Sequence, residues 1–140
     1  MDRPATKRWL TVALLIATLY PVIGIAFAAL SSASSGMRVT WRLAAWLLSA
    51  TAFAVHLGYE HFRLRNLPLR AAWHCSLAVA LGAFALAVWV NVHGHWVTSS
   101  HQSPLAPLAL VVFPVVTGVP AFQVALIVAA ALARTRRHGQ

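Results

Sequence analysis

Residues 71–92 read AAWHCSLAVALGAFALAVWVNV, a run that contains no acid, no lysine and no arginine. A membrane-spanning helix needs about 20 mostly apolar residues, so this run is long enough to cross a bilayer. Three further apolar runs occupy residues 9–30, 41–59 and 105–133. The sequence therefore predicts one transmembrane domain, residues 1–140, that folds as an all-α, integral membrane four-helix bundle with up-down-up-down topology.

The composition of the whole chain agrees with this interpretation. Of its 140 residues, 60% are hydrophobic and 9% are charged, and the mean hydropathy is +0.73. A soluble domain carries about a quarter charged residues, and a chain of this size has too small an interior to bury so many apolar side chains. The composition excludes a soluble enzyme, a disordered chain and a secreted disulfide scaffold.

The positions of lysine and arginine predict the orientation in the membrane. If the N-terminus is cytoplasmic, nine of the eleven basic residues lie on the inner side and only Arg38 and Arg42 lie outside. Basic residues concentrate on the cytoplasmic side of membrane proteins, so both termini are predicted to be cytoplasmic in a multi-pass protein of a bacterial inner membrane. The inner arginines are expected to contact anionic lipids, and nucleic acid is not an expected partner.

Small residues at helical spacing predict where the helices touch. In the third segment these are Ala71, Cys75, Ala78, Gly82 and Ala85, and in the fourth they are Ala121, Ala125, Ala129 and Ala133. Small residues let membrane helices approach closely, so both stripes are predicted to be contact faces. The fourth segment also contains Pro114 and Pro120, which predict a kink or local unwinding. Its Gln123 is expected to form a hydrogen bond across the bundle or to backbone freed by Pro120.

Three ionisable residues form the main candidate site: His56, Glu60 and His74. His56 and Glu60 are four residues apart and share one face of the second segment. That face continues as a polar stripe every seven residues, through Arg42, Ser49, His56 and Arg63. His74 lies near the start of the third segment, which is expected to be a neighbour of the second. Ionisable groups in membrane helices are costly and are therefore candidates for function.

Four interpretations of this polar intramembrane cluster remain open at the level of sequence. The first is a hydrogen-bonded knot that fixes helix register, with Glu60 paired to Arg63, His61 or Arg70. The second is a proton relay or an ion site. In the third, His56 and His74 bind haem b as axial ligands. In the fourth, His56, Glu60 and His74 hold a divalent metal ion.

The remaining candidate site is a histidine pair on the predicted outer side. His93 and His95 are separated by a glycine, so both rings could reach one metal ion, although a solvated loop is the favoured interpretation. No nucleotide-binding or nucleophile-elbow pattern is present. Asp2 and Glu60 are the only acids, so no catalytic residue is predicted and an enzyme is not expected.

The function predicted from these features is that of an accessory or interaction subunit within the membrane, with a membrane-protein partner or a second copy of the chain. The alternative is a haem- or metal-binding redox protein, or a small proton-coupled transporter, that uses His56, Glu60 and His74.

Overall fold

The computed structural model describes residues 3–33, 35–97 and 106–138. These residues form four long helices: α1 (Arg3–Ala33), α2 (Arg38–Gly58), α3 (Pro68–Val97) and α4 (Ala109–His138). A π-helical turn, Tyr59–Arg63, continues α2, and short 3₁₀ turns, Ser35–Met37 and Ala106–Leu108, precede α2 and α4. Apart from residues 64–67, which connect the π-helical turn to α3, the described part of the chain is helical, as the sequence predicts.

Three of the four helices are long and apolar enough to cross a membrane. The qualifying spans are Trp9–Ala33 in α1, Pro68–His93 in α3 and Ala109–Thr135 in α4. By length and composition the chain is therefore compatible with a membrane protein. We predicted that the second helix also spans the membrane, but it is not apolar enough to count as a candidate span. Arg42 and His56 lower its mean hydropathy, although its 21 residues are long enough.

The helices lie side by side in the order α2, α1, α3, α4. The most extensive contact is between α3 and α4, followed by those of α1 with α3 and of α1 with α2. The second helix touches α3 only to a small extent. We expected consecutive helices 2 and 3 to be packed neighbours, but α1 lies between them over most of their length.

Specific contacts define the relative directions of the helices. Near the start of α1 and α3, Trp9 stacks on His74, and further along both helices Tyr20 lies against Gly82. The first and third helices therefore run in the same direction. In α4, Gly118 accepts a hydrogen bond of 2.8 Å from Ser76 Oγ, and later in α4 Phe122 packs on Trp73, so α4 runs opposite to α3.

Small residues fill the interior, while large apolar side chains lie outside. Nine of the twelve buried apolar residues in the described part of the chain are alanine, and the outer surface carries exposed side chains such as Leu15 and Ile127. This inverted distribution suits a lipid environment, where close packing rather than apolar burial holds helices together.

The two small-residue stripes are largely buried, as predicted. In α3, Ala71, Cys75 and Ala78 are fully buried, and in α4 so are Ala125 and Ala129. At Gly82 an added Cβ would lie 2.8 Å from Tyr20 Cβ, so the absence of a side chain there permits the close approach of α1. Ala85 is exposed and does not belong to the contact face.

The fourth segment, for which we predicted a kink or local unwinding, is not unwound. The helix α4 is continuous through both Pro114 and Pro120. The hydroxyl of Thr117 donates a 2.7 Å hydrogen bond to the carbonyl of Phe113. This bond between a side chain and the backbone helps to hold the turn that contains Pro114. Gln123 is exposed rather than directed across the bundle.

Candidate functional site

The structure brings His56, Glu60 and His74 together at one end of the molecule. The three residues come from the last turn of α2, the π-helical turn and the second turn of α3. The side chains of His56 and Glu60 are fully buried, and that of His74 is 17% exposed. A carboxyl group therefore lies entirely inside the protein between two imidazoles.

Each oxygen of the Glu60 carboxyl group faces a different histidine. His74 Nδ1 lies 3.1 Å from Oε2, a hydrogen-bond distance. His56 Nε2 lies 3.8 Å from Oε1, which is within ion-pair range but too long for a hydrogen bond. Oε2 also accepts a hydrogen bond from the side-chain amide of Asn66. Oε2 thus has two hydrogen-bond partners, whereas Oε1 faces His56 without forming a hydrogen bond.

The backbone around Glu60 departs from regular α-helix. Leu64 N–H donates to Tyr59 O over 3.2 Å, the five-residue step of a π-helical turn, and Asn66 N–H donates to Glu60 O, also over 3.2 Å. Arg65 has a φ of 52°, in the left-handed region that a residue with a side chain seldom adopts. The left-handed conformation of Arg65 turns the chain so that the backbone N–H of Asn66 reaches the carbonyl oxygen of Glu60. Such π-helical turns occur frequently at functional sites.

An aromatic ring from α1 covers His74. The indole of Trp9 stacks on the imidazole with ring centroids 4.2 Å apart and planes 5° apart. The stack fixes the orientation of the His74 ring, so Nδ1 stays directed at Glu60. The first helix therefore completes the site by holding the His74 ring in place.

Several buried polar atoms at this end have no hydrogen-bond partner among the described residues. They are both ring nitrogens of His56, Oε1 of Glu60 and Nδ1 of His61. His61 is also buried, and its ring meets the ring of Phe62 edge-on. Buried polar groups are normally paired, so a concentration of unpaired ones marks a place with a specific role or a large energetic cost.

The partners of Glu60 differ from those expected for a simple ion pair with arginine. The atoms within ion-pair distance of its carboxyl group belong to His56 and His74, whereas Arg63 and Arg70 are exposed. The arginines can reach water on their long stems, whereas the histidines are held inside by helix packing. The predicted polar stripe of α2 is also only partly internal, since Arg42 is exposed while His56 is buried.

The arrangement does not suit a metal ion. Among the described residues, no group of three or more His, Cys, Asp or Glu side chains could hold one. Both histidines direct a nitrogen at the carboxyl group itself rather than at a common point. Metal ligands must converge on one ion at about 2.0–2.2 Å.

The geometry is equally unsuited to haem between His56 and His74. The carboxyl group of Glu60 lies between the two rings, where the iron of a bis-histidine haem would have to lie. A groove of about 350 Å³ between α3 and α4 has an apolar lining, which includes Leu81, Phe84 and Pro114 but neither histidine. The interpretation that remains is a hydrogen-bonded, ionisable triad.

The second candidate pair lies only partly within the described structure. His93 is exposed, and its ring stacks on Trp89 with centroids 4.8 Å apart. The side chain of His95 lies outside the described residues. The metal site predicted from these two histidines therefore stays a prediction.

Sequence reasoning missed two members of the site. Asn66 is the residue that clasps Glu60, with both its backbone and its side chain. Pro68 disfavours helix at Leu67, the residue directly before it, so the sequence indicated a break in the chain next to Asn66 but not a partner for Glu60. For Trp9, the sequence indicated only an aromatic residue at the membrane–water interface. Its stack on His74 depends on α1 and α3 lying together.

Comparison with known proteins adds no assignment to this geometry. No family model matches the chain, and no curated protein or solved structure matches it.

Proposed function

We propose that the chain is a multi-pass membrane protein with four spans and that both of its ends are cytoplasmic. The direction of the helix contacts supports this topology, since α1 and α3 run together and α4 runs opposite to them. The exposed arginines at the α2–α3 connection, Arg63, Arg65 and Arg70, support the inner position of that end. We propose that they contact anionic lipid headgroups there.

We propose further that it works as an accessory or interaction subunit. The observation that supports this proposal is that α2 combines a low hydropathy with an uncovered face. This helix is the only one of the four too polar to qualify as a span by composition, and it is packed mainly on α1. A broad face remains uncovered, with Trp46 76% and Leu47 70% exposed. A helix of marginal hydropathy gains stability in a membrane when another helix covers it.

Site-specific photo-crosslinking tests the accessory role. A photoreactive amino acid replaces Trp46 on the open face of α2 or, as the matched control, Ile127 on α4, which is 69% exposed. We expect position 46 to give one discrete protein adduct, identified by mass spectrometry as a second copy or as another membrane protein. We expect position 127 to give lipid adducts. Lipid adducts alone at both positions would overturn the proposal.

Cysteine accessibility tests the topology separately. The chain has one cysteine, Cys75, which is buried, so Cys75→Ala gives a background without reactive thiols. In this background we expect Gly36→Cys to react with an impermeant reagent in intact cells. We expect Arg65→Cys to react only after permeabilisation. The reverse pattern would invert the orientation, and equal reaction at both positions would contradict a span between them.

A further inference from the structure

The triad of His56, Glu60 and His74 contains buried polar atoms without hydrogen-bond partners, and an accessory role does not explain them. His56 Nε2 and Glu60 Oε1 are both buried, face each other at 3.8 Å and have no hydrogen-bond partner among the described residues. A buried carboxylate or imidazole without a partner is costly, since it loses its hydration. A proton added to either atom supplies the missing donor. This geometry therefore suits a site that can exist both with and without the added proton.

The groups around the carboxyl group come from every element packed against it. It faces His56 from α2 and His74 from α3, and it interacts electrostatically with the buried thiol of Cys75, also in α3. His61, the next residue in the π-helical turn, is buried as well. From α1 come the indole of Trp9, which stacks on His74, and the buried hydroxyl of Tyr20, which is close enough to Cys75 to interact with it electrostatically. The two residues of α4 in the adjoining core, Ala125 and Ala129, are apolar.

We propose that His56, Glu60 and His74 form a reversible proton-binding site, independently of whether the chain is an accessory subunit. With the carboxylate ionised and both imidazoles neutral, the site has a net charge of −1. Uptake of one proton makes it neutral, and the proton is then shared between the carboxyl group and an imidazole. A buried site of zero net charge is favoured over one with an uncompensated charge.

Proton exchange with the solvent runs through His74. Its side chain is 17% exposed, whereas those of Glu60 and His56 are fully buried. A proton that reaches the His74 ring passes to the Oε2 atom of Glu60 across the 3.1 Å hydrogen bond between them. The exchange therefore takes place at the end where α3 begins, beside the exposed arginines Arg65 and Arg70.

The stack of Trp9 on His74 supplies an intrinsic optical probe. Protonation of the imidazole changes the quenching of the indole 4.2 Å away, so the fluorescence of Trp9 follows the charge on His74. The Trp89–His93 pair is a second stack, with rings 4.8 Å apart, and would contribute a signal of its own. The measurement therefore uses detergent-purified Trp89→Phe protein, and the additional change Trp9→Phe identifies the signal from the triad.

The test follows this fluorescence from about pH 5 to about pH 8. We expect a titration that disappears in Trp9→Phe. In Glu60→Gln we expect the midpoint to change, because the carboxyl group that faces the imidazole has been replaced by an amide. A titration with an unchanged midpoint in Glu60→Gln, or no titration in this range, would overturn the proposal.

An infrared measurement keeps the test valid if Glu60→Gln does not fold. Glu60 is the only glutamate in the chain, so isotopically labelled glutamate assigns its carboxyl band without any substitution. We expect this band to change over the same pH range as the fluorescence of Trp9. A Glu60 band that stays constant while Trp9 titrates would show that His74 titrates alone, and it would refute a shared site.

Discussion

Adding one methyl group at Gly82 should loosen the contact between α1 and α3. The new Cβ would lie 2.8 Å from Tyr20 Cβ and 3.0 Å from the carbonyl oxygen of Ala17. The first distance is shorter by about 0.7 Å than the closest favourable separation of two carbon atoms. Neither neighbour is the mobile end of a side chain, so the helices themselves must move. Overpacking of this kind costs about 1–3 kcal/mol.

Replacement of glycine by alanine also favours the helix itself, by about 1 kcal/mol in water. Gly58→Ala is the matched control, since its new Cβ would meet only Phe62, at 4.0 Å. We expect Gly82→Ala to be less stable than Gly58→Ala by about 1–3 kcal/mol, measured by denaturation of the purified protein in mixed micelles. Equal stabilities of the two variants would refute the close approach of α1 to α3 at this point.

Substitutions at three further positions test individual structural features by the same unfolding measurement. Ser76→Ala removes the 2.8 Å hydrogen bond to Gly118 and should cost about 0.6 kcal/mol, an average for hydrogen bonds between membrane helices; no loss would contradict this bond. Arg65→Gly should be tolerated at φ 52°, while Arg65→Ile should cost about 1–2 kcal/mol; equal stability would argue against the left-handed residue. Glu60→Ala leaves His74 without its acceptor and should cost about 1–3 kcal/mol, more than Glu60→Gln, which keeps a carbonyl oxygen; the opposite order would exclude the hydrogen-bonded arrangement.

The polar cluster lacks the free central point that a bound metal ion or haem would need. Ligation of a metal or haem requires donor atoms that converge on a free point, whereas here both histidines face a carboxyl group that already occupies that point. A purely structural knot would be expected to satisfy its members, yet His56 has no hydrogen-bond partner for either ring nitrogen among the described residues. The arrangement therefore favours a site that exchanges protons.

Local sequence patterns predicted the helical class, the positions of the apolar segments and most of the contact faces of small residues. Ala78 in α3 and Ala125 in α4 are buried as their spacing predicts. This succeeds because the length of an apolar run and a helical period are local properties, which depend on residues only a few positions apart. The pairing of His56 with Glu60 was predictable for the same reason, since four residues make one helical turn.

The way in which these local elements combine depends on tertiary packing. It placed α1 between α2 and α3, closed the α2–α3 connection through a left-handed Arg65 and gave Glu60 its partners Asn66 and His74. Each of these features depends on which helix lies beside which, and on the contact of side chains far apart in the chain. The continuity of α4 through Pro114 has the same origin, because packing along α3 can hold a helix together where local propensity would interrupt it.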